Sequence, residues 1–230
     1  MLVVGLTGGI ATGKSSVAEL LRRHGVPVLD ADRAARELTL PGCPALAALR
    51  ARFGEGIFTP GGELDRAALG RVVFADPRAR ADLERLLHPL IAQRLAQELG
   101  RLGEQPEPPP LVVVEIPLLF EVAVPLAIDL VLVVSATPEQ QLARLVAAGM
   151  DPEQARGRLA AQLPIAAKRE RADLVVENTG SRQELERHFE ADIWPRLERL
   201  GAGRRAGPGG GAGPREGAWG ARRRPAGRPK

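Results

Sequence analysis

Residues 5–16 read GLTGGIATGKSS. Glycines at positions 8 and 13, followed by Lys14 and Ser15, have the G-x4-G-K-S spacing of a phosphate-gripping P-loop. Glycine lets the backbone turn successive N–H groups toward phosphate oxygens, at a helix start that already favours anions. Lys14 would then reach the outer phosphates, and the Ser15 hydroxyl would take a place on Mg²⁺. The chain supplies an internal check, because it holds 29 Arg but only three Lys, at 14, 168 and 230. A sequence that uses arginine for nearly every cation keeps a compact ammonium in this loop, where a planar guanidinium would not fit. The expected partner is a nucleoside triphosphate.

A second pair of reactive groups follows in VLDAD (28–32), where Asp30 and Asp32 close a short apolar run. A carboxylate there can accept the proton of an attacking hydroxyl, or hold the metal through water. Either aspartate can equally cap the helix that starts with RAAREL.

These groups need a frame, and the chain alternates strand and helix signals throughout. LVVGL (2–6), VPVLD (26–30), LVVVE (111–115), LVLVV (130–134) and DLVVEN (173–178) read as strands. Helical spacing covers 14–24 and most of 32–102, with Asp76-Pro77 as a cap and first helical position. Thr137-Pro138-Glu139-Gln140, Asp151-Pro152-Glu153-Gln154 and Ser181-Arg182-Gln183-Glu184 each read as helix starts. Leu185, Phe189, Ile193 and Leu197 form a core-facing stripe on the last helix. Five strands alternating with helices predict an α/β fold, a parallel sheet covered on both faces, with ligands outside the carboxyl ends of its strands. The P-loop falls there.

Formal charge narrows the partners. The last thirty residues carry eight bases and one acid, so +7 of charge sits there and residues 1–200 carry −3 of the whole-chain +4. That Gly/Pro/Arg-rich stretch, 201–230, reads as a disordered tail. With only 3% aromatic residues, nucleic-acid contact reduces to weak, nonspecific binding by the tail. A lone Cys43 excludes an intrachain disulfide and fits a reducing compartment. No run approaches the roughly 20 apolar residues of a membrane span, and no signal peptide is evident, so a cytoplasmic location is expected. Nothing in the residues selects an oligomeric state.

Residues 5–38 together with PGCPALAALRARFG (41–54), LDRAALGRVVFADPRARADLERLLHPLI (64–91), IPLLFE (116–121) and ADLVVENTGS (172–181) resemble the dephospho-CoA kinase family in order and spacing, over Leu2 to about Leu200. The resemblance implies a P-loop NTPase-type three-layer fold. It divides the chain into a core (1–33, 108–140 and 172–200), an acceptor-binding helical lobe of about 34–100 and a helical lid of about 141–171. It implies ATP-dependent phosphorylation of the ribose 3′-hydroxyl of dephospho-CoA, with Mg²⁺; another small-molecule acceptor is the alternative. Asp32 matches the family's catalytic base. Gly9, Ala11, Thr12, Gly13, Lys14, Ser15 and Ser16 would bind ATP, with Arg144 and Arg158 from the lid and Asn178 near the adenine. Arg36, His88, Arg94 and Glu121 would serve the acceptor. Plainer roles stand beside these: His88 as a structural histidine before a proline turn, Glu121 in local pairing, Asn178 as a turn residue. Gln162 and Lys168 also match polar family positions. The chain departs from the pattern at Ala148, where the family often has arginine.

Overall fold

The computed structural model describes residues 1–122 and 125–205. The expected tail beyond 205 lies outside the described residues. Two compact units form: one holds Met1–Leu29 and most of the chain from Arg101 on, the other Asp30–Gly100.

The first unit is built on a five-stranded parallel sheet in the order β2-β3-β1-β4-β5. Its strands are β1 (Leu2–Gly8), β2 (Val28–Asp30), β3 (Leu111–Glu115), β4 (Leu130–Ser135) and β5 (Leu174–Glu177). In register, β1 pairs with β3 through Leu6 and Glu115, and with β4 through Gly8 and Val134. All of β1 and β4 is buried, which is why those segments read as continuous apolar runs rather than alternating ones. On one face, Val4, Leu6, Leu132, Val134 and Val176 pack with Val17, Leu20 and Leu21 of helix α1 (Lys14–Arg23).

The second unit is helical: α2 (Ala31–Leu38), α3 (Pro44–Phe53), α4 (Arg66–Ala75) and most of α5 (Pro77–Gly103). Its core joins Leu49, Ile57 and Leu69, against which Phe53, Phe58, Leu83, Leu86 and Leu87 pack. No turn forms at His88. Pro89 lies inside α5, which continues through it. An interior proline costs about 3 kcal/mol. Leu83, Leu86 and Leu87 before it and buried Ala92, Leu95 and Leu99 after it hold the helix on both sides. Roughly 1.5–3 kcal/mol for each large apolar side chain buried outweighs the break.

Three helices follow β4 in the first unit: α6 (Pro138–Ala147), α7 (Pro152–Ala160) and α8 (Ile165–Glu170). Thr137 forms the expected capping box with Gln140, and Asp151 caps α7 by accepting from the Glu153 and Gln154 amides.

The closing helix is not one uniform element. α9 (Arg182–His188) passes through a π turn, Phe189–Ile193, into α10 (Trp194–Arg205). Residues spaced by four drift about 40° per step around a 3.6-residue helix. A π turn takes up an extra residue and offsets that drift. Leu185, Phe189, Ile193 and Leu197 all reach the core as a result. Helix α10 continues to Arg205, five residues past the expected boundary at 200. Gly201 is buried there, packed so closely on Pro110 and Leu111 that a Cβ would lie 3.3–3.4 Å from them.

Candidate active site

The loop between β1 and α1 turns on its glycines. Gly13 sits at φ +90, and a Cβ there would overlap the Asn178 amide nitrogen. At Gly8 a Cβ would lie 2.5 Å from the Val134 carbonyl oxygen, in a neighbouring strand that cannot yield.

Every carbonyl from Gly8 to Gly13 accepts a hydrogen bond. Lys168 Nζ donates to Gly8 at 3.4 Å. Thr12 Oγ1 donates to Gly9 at 2.9 Å, and Lys14 Nζ reaches the same oxygen at 3.4 Å. Gln141 Nε2 donates to Ile10 at 2.6 Å, Arg144 Nη1 to Ala11 at 3.2 Å, and Asn178 Nδ2 to Thr12 at 2.8 Å. The Gly13 carbonyl accepts from Ser16 and Val17, opening α1. In a trans peptide the N–H of the next residue points opposite to the carbonyl. No peptide here is cis. Carbonyls held by Lys168, Gln141 and Asn178 therefore turn the amides of Gly9, Ala11 and Gly13 away from those donors. The Ile10 amide is taken instead by Gln162 Oε1 at 2.9 Å.

The side chains expected to serve ATP and the acceptor have these surroundings. Arg144, expected on triphosphate oxygens, donates to Ala11 O and, through Nη2 at 2.8 Å, to Asn178 O. The Asn178 side chain, 7% exposed, is committed to the loop backbone. Arg158 is exposed in the last turn of α7 and is not among the loop's donors. Ala148 caps the C-terminus of α6. Glu121 Oε1 accepts from Lys168 Nζ at 2.6 Å and from the Leu163 amide at 3.1 Å, both in a segment more than forty residues further along the chain.

In the helical unit, Asp30 is the cap of the aspartate pair: its Oδ1 accepts from the amides of Asp32 at 2.8 Å and Arg33 at 3.2 Å. Asp32 lies exposed on the first turn of α2, and Arg36 is exposed on the last. Arg94 pairs with Glu98 at 3.1 Å and Glu37 at 3.4 Å. The Arg33 guanidinium beside Glu37 holds that carboxyl below its usual value. Burial pushes the His88 imidazole below its ordinary pKa, with Glu84 opposing weakly.

Among the described residues no group of three or more His, Cys, Asp or Glu could hold a metal ion. The donor set fits Mg²⁺ of the kind bound mainly by substrate phosphates and water, with one protein oxygen. Ser15, exposed on the first turn of α1, offers that hydroxyl.

Sequence inspection missed Lys168 and Gln141 as parts of the loop's support. The signal for Lys168 was present: it is one of only three lysines in a chain with 29 arginines. Gln141 carried none.

A glycine loop between the first strand and helix of a parallel sheet, at the strands' carboxyl ends, defines a P-loop protein. The family model of dephospho-CoA kinase matches residues 2–184. A dephospho-CoA kinase of Anaeromyxobacter dehalogenans is 48% identical over 80% of this chain and 87% of its own length. One from Parasynechococcus marenigrum is 46% identical over 79% and 90%. Among solved structures, a Thermus thermophilus protein superposes with a TM-score of 0.72 at 40% identity, covering 85% of this chain and 97% of its own. A dephospho-CoA kinase from Campylobacter jejuni gives 0.64 at 26% identity, covering 86% and 98%. The chain belongs to the dephospho-CoA kinase family and is a kinase.

Proposed function

We propose that the protein transfers the γ-phosphoryl of ATP to the ribose 3′-hydroxyl of dephospho-CoA, giving coenzyme A and ADP. The observation that carries this is the run of hydrogen-bonded loop carbonyls, which aims the amides of Gly9, Ala11 and Gly13 away from the supporting side chains. Oriented backbone amides need no reorganisation as charge shifts during the reaction. Phosphoryl transfer is carried mostly by such positioning and charge neutralisation.

In this mechanism the residues Gly9 to Ser16 wrap the phosphates, and Lys14 neutralises the charge that develops on the β–γ bridging oxygen as the bond to phosphorus breaks. The Asp32 carboxylate takes the proton of the acceptor hydroxyl as its oxygen bonds to phosphorus. The Ser15 hydroxyl would hold Mg²⁺, which when bound supplies charge neutralisation to the phosphates. Arg144 and Asn178 serve ATP through the loop they support, and Arg158 supplies a further cation from α7. Arg36, His88 and Arg94 contact the acceptor. Glu121 acts through its pairing with Lys168. No helix among the described residues is long and apolar enough to cross a membrane. A cytoplasmic location and small-molecule partners suit this activity.

The test supplies ATP, Mg²⁺ and dephospho-CoA and follows coenzyme A formation. Nucleosides, nucleotides and sugar acids are run in parallel. Turnover of one of those with dephospho-CoA ignored would reject the acceptor and keep the kinase.

A further inference from the structure

Lys168 is fully buried in α8. Its ammonium meets Glu121 Oε1 at 2.6 Å and the Gly8 carbonyl at 3.4 Å. The second carboxylate oxygen, Glu121 Oε2, is buried and has no partner. A buried ion pair is a poor device for stability alone, since a well-packed apolar pair of similar volume often does as well or better. It can do what an apolar pair cannot, which is to hold a carbonyl oxygen in a chosen direction.

The carbonyl held is that of Gly8, the last residue of β1 and the first of the loop pattern. Gln162 takes the Ile10 amide and Leu163 donates to Glu121, so the whole 162–168 segment is tied in around the same carboxylate and loop. Of the chain's three lysines, two donate to consecutive loop carbonyls: Lys168 to Gly8 and Lys14 to Gly9. An ammonium with three donors on a flexible stem can serve a carboxylate and a carbonyl from one buried point. A rigid planar guanidinium meets that geometry poorly.

We propose that Lys168 is a positioning residue of the phosphate loop. It pins the Gly8 carbonyl so that the Gly9 amide, in the same peptide plane, faces the triphosphate, with Glu121 as its buried counter-charge. The inference rests on the kinase reading above.

The deciding variant is Lys168→Met combined with Glu121→Gln, which removes both buried charges while keeping an acceptor for the Leu163 amide. ATP–Mg²⁺ affinity is read by titration calorimetry, alongside the melting temperature and KM for each substrate. Positioning predicts a folded double variant, its melting temperature lowered only by the lost donor to the Gly8 carbonyl, and an ATP–Mg²⁺ affinity at least tenfold weaker. KM for ATP should rise, and KM for dephospho-CoA should stay within about twofold. Parent-like ATP affinity in the double variant would show that Lys168 merely neutralises Glu121, and would overturn the proposal. If the double variant does not fold, Lys168→Arg decides. That variant keeps the charge for Glu121, so a tenfold loss of ATP affinity supports positioning and an unchanged affinity overturns it. Parent protein that binds ATP–Mg²⁺ without forming coenzyme A rejects the acceptor reading alone, because the affinity comparison still decides the role of Lys168.

Discussion

Replacing Gly13 by alanine tests the geometry of the loop most directly. At φ +90 and ψ 28 a Cβ adds strain of about 1–2 kcal/mol. That Cβ would also fall closer than 3.0 Å to the Asn178 amide nitrogen and push it off the Thr12 carbonyl. Leaving that buried acceptor without its donor costs a further ~1–3 kcal/mol. The single substitution should therefore destabilise the protein by about 2–5 kcal/mol. Asn178→Ala alone removes the same donor, at ~1–3 kcal/mol. In the double variant the Thr12 carbonyl is orphaned only once and nothing remains for the new methyl to strike. Its loss should match that of Gly13→Ala, leaving a coupling of about 1–3 kcal/mol between the sites. Urea unfolding of the four proteins, followed by circular dichroism, measures this cycle. Simple additivity would refute the claim that Asn178 holds the loop through Thr12.

Lys14→Ala should leave the fold intact by circular dichroism and nearly abolish coenzyme A formation. Asp32→Asn should lower kcat by about 10²- to 10⁴-fold if the carboxylate removes the acceptor proton; a drop of only a few fold in steady-state assays would assign it to positioning. Burial keeps the folded-state pKa of His88 below the ordinary value of 6.5. As pH falls through 6.5 the unfolded chain takes up this proton first, so the contribution of His88 to stability is complete above 6.5 and falls at lower pH. His88→Gln should flatten the dependence of the urea midpoint between about pH 7 and 5, and parallel curves for the two proteins would contradict it. Truncation after Arg205, rather than after Leu200, should leave kinase turnover unchanged while removing salt-sensitive binding to nucleic acid. The later cut keeps buried Gly201 and the ion pair of Arg204 with Asp129 at 2.5 Å.

Much of this protein is written in local signals. The strand cores, the caps at Thr137, Asp151 and Ser181, and the loop between β1 and α1 depend on residues within a few positions of one another. Sterics and short-range hydrogen bonding decide such features, so they survive reading one segment at a time. Asp30 was more ambiguous, because two aspartates stood in capping range and only the backbone geometry chose between them.

What holds the loop could not be read in this way. Gln141, Arg144, Gln162, Lys168 and Asn178 donate to or accept from it across 131 to 166 residues of chain. A side chain's type shows that it can donate; only the packed structure shows to which oxygen. Sheet order makes that choice, since placing β4 and then β5 beside β1 brings the segments that follow those strands around the turn after β1. Arg144 accordingly meets the Ala11 carbonyl, a contact that nothing in its own segment foretells. Short-range patterns establish a glycine loop able to receive anions, together with the strand and helix that frame it. The tertiary structure decided which distant groups grip the outside of that loop, because hydrogen bonds between remote segments exist only once the strands have taken their places.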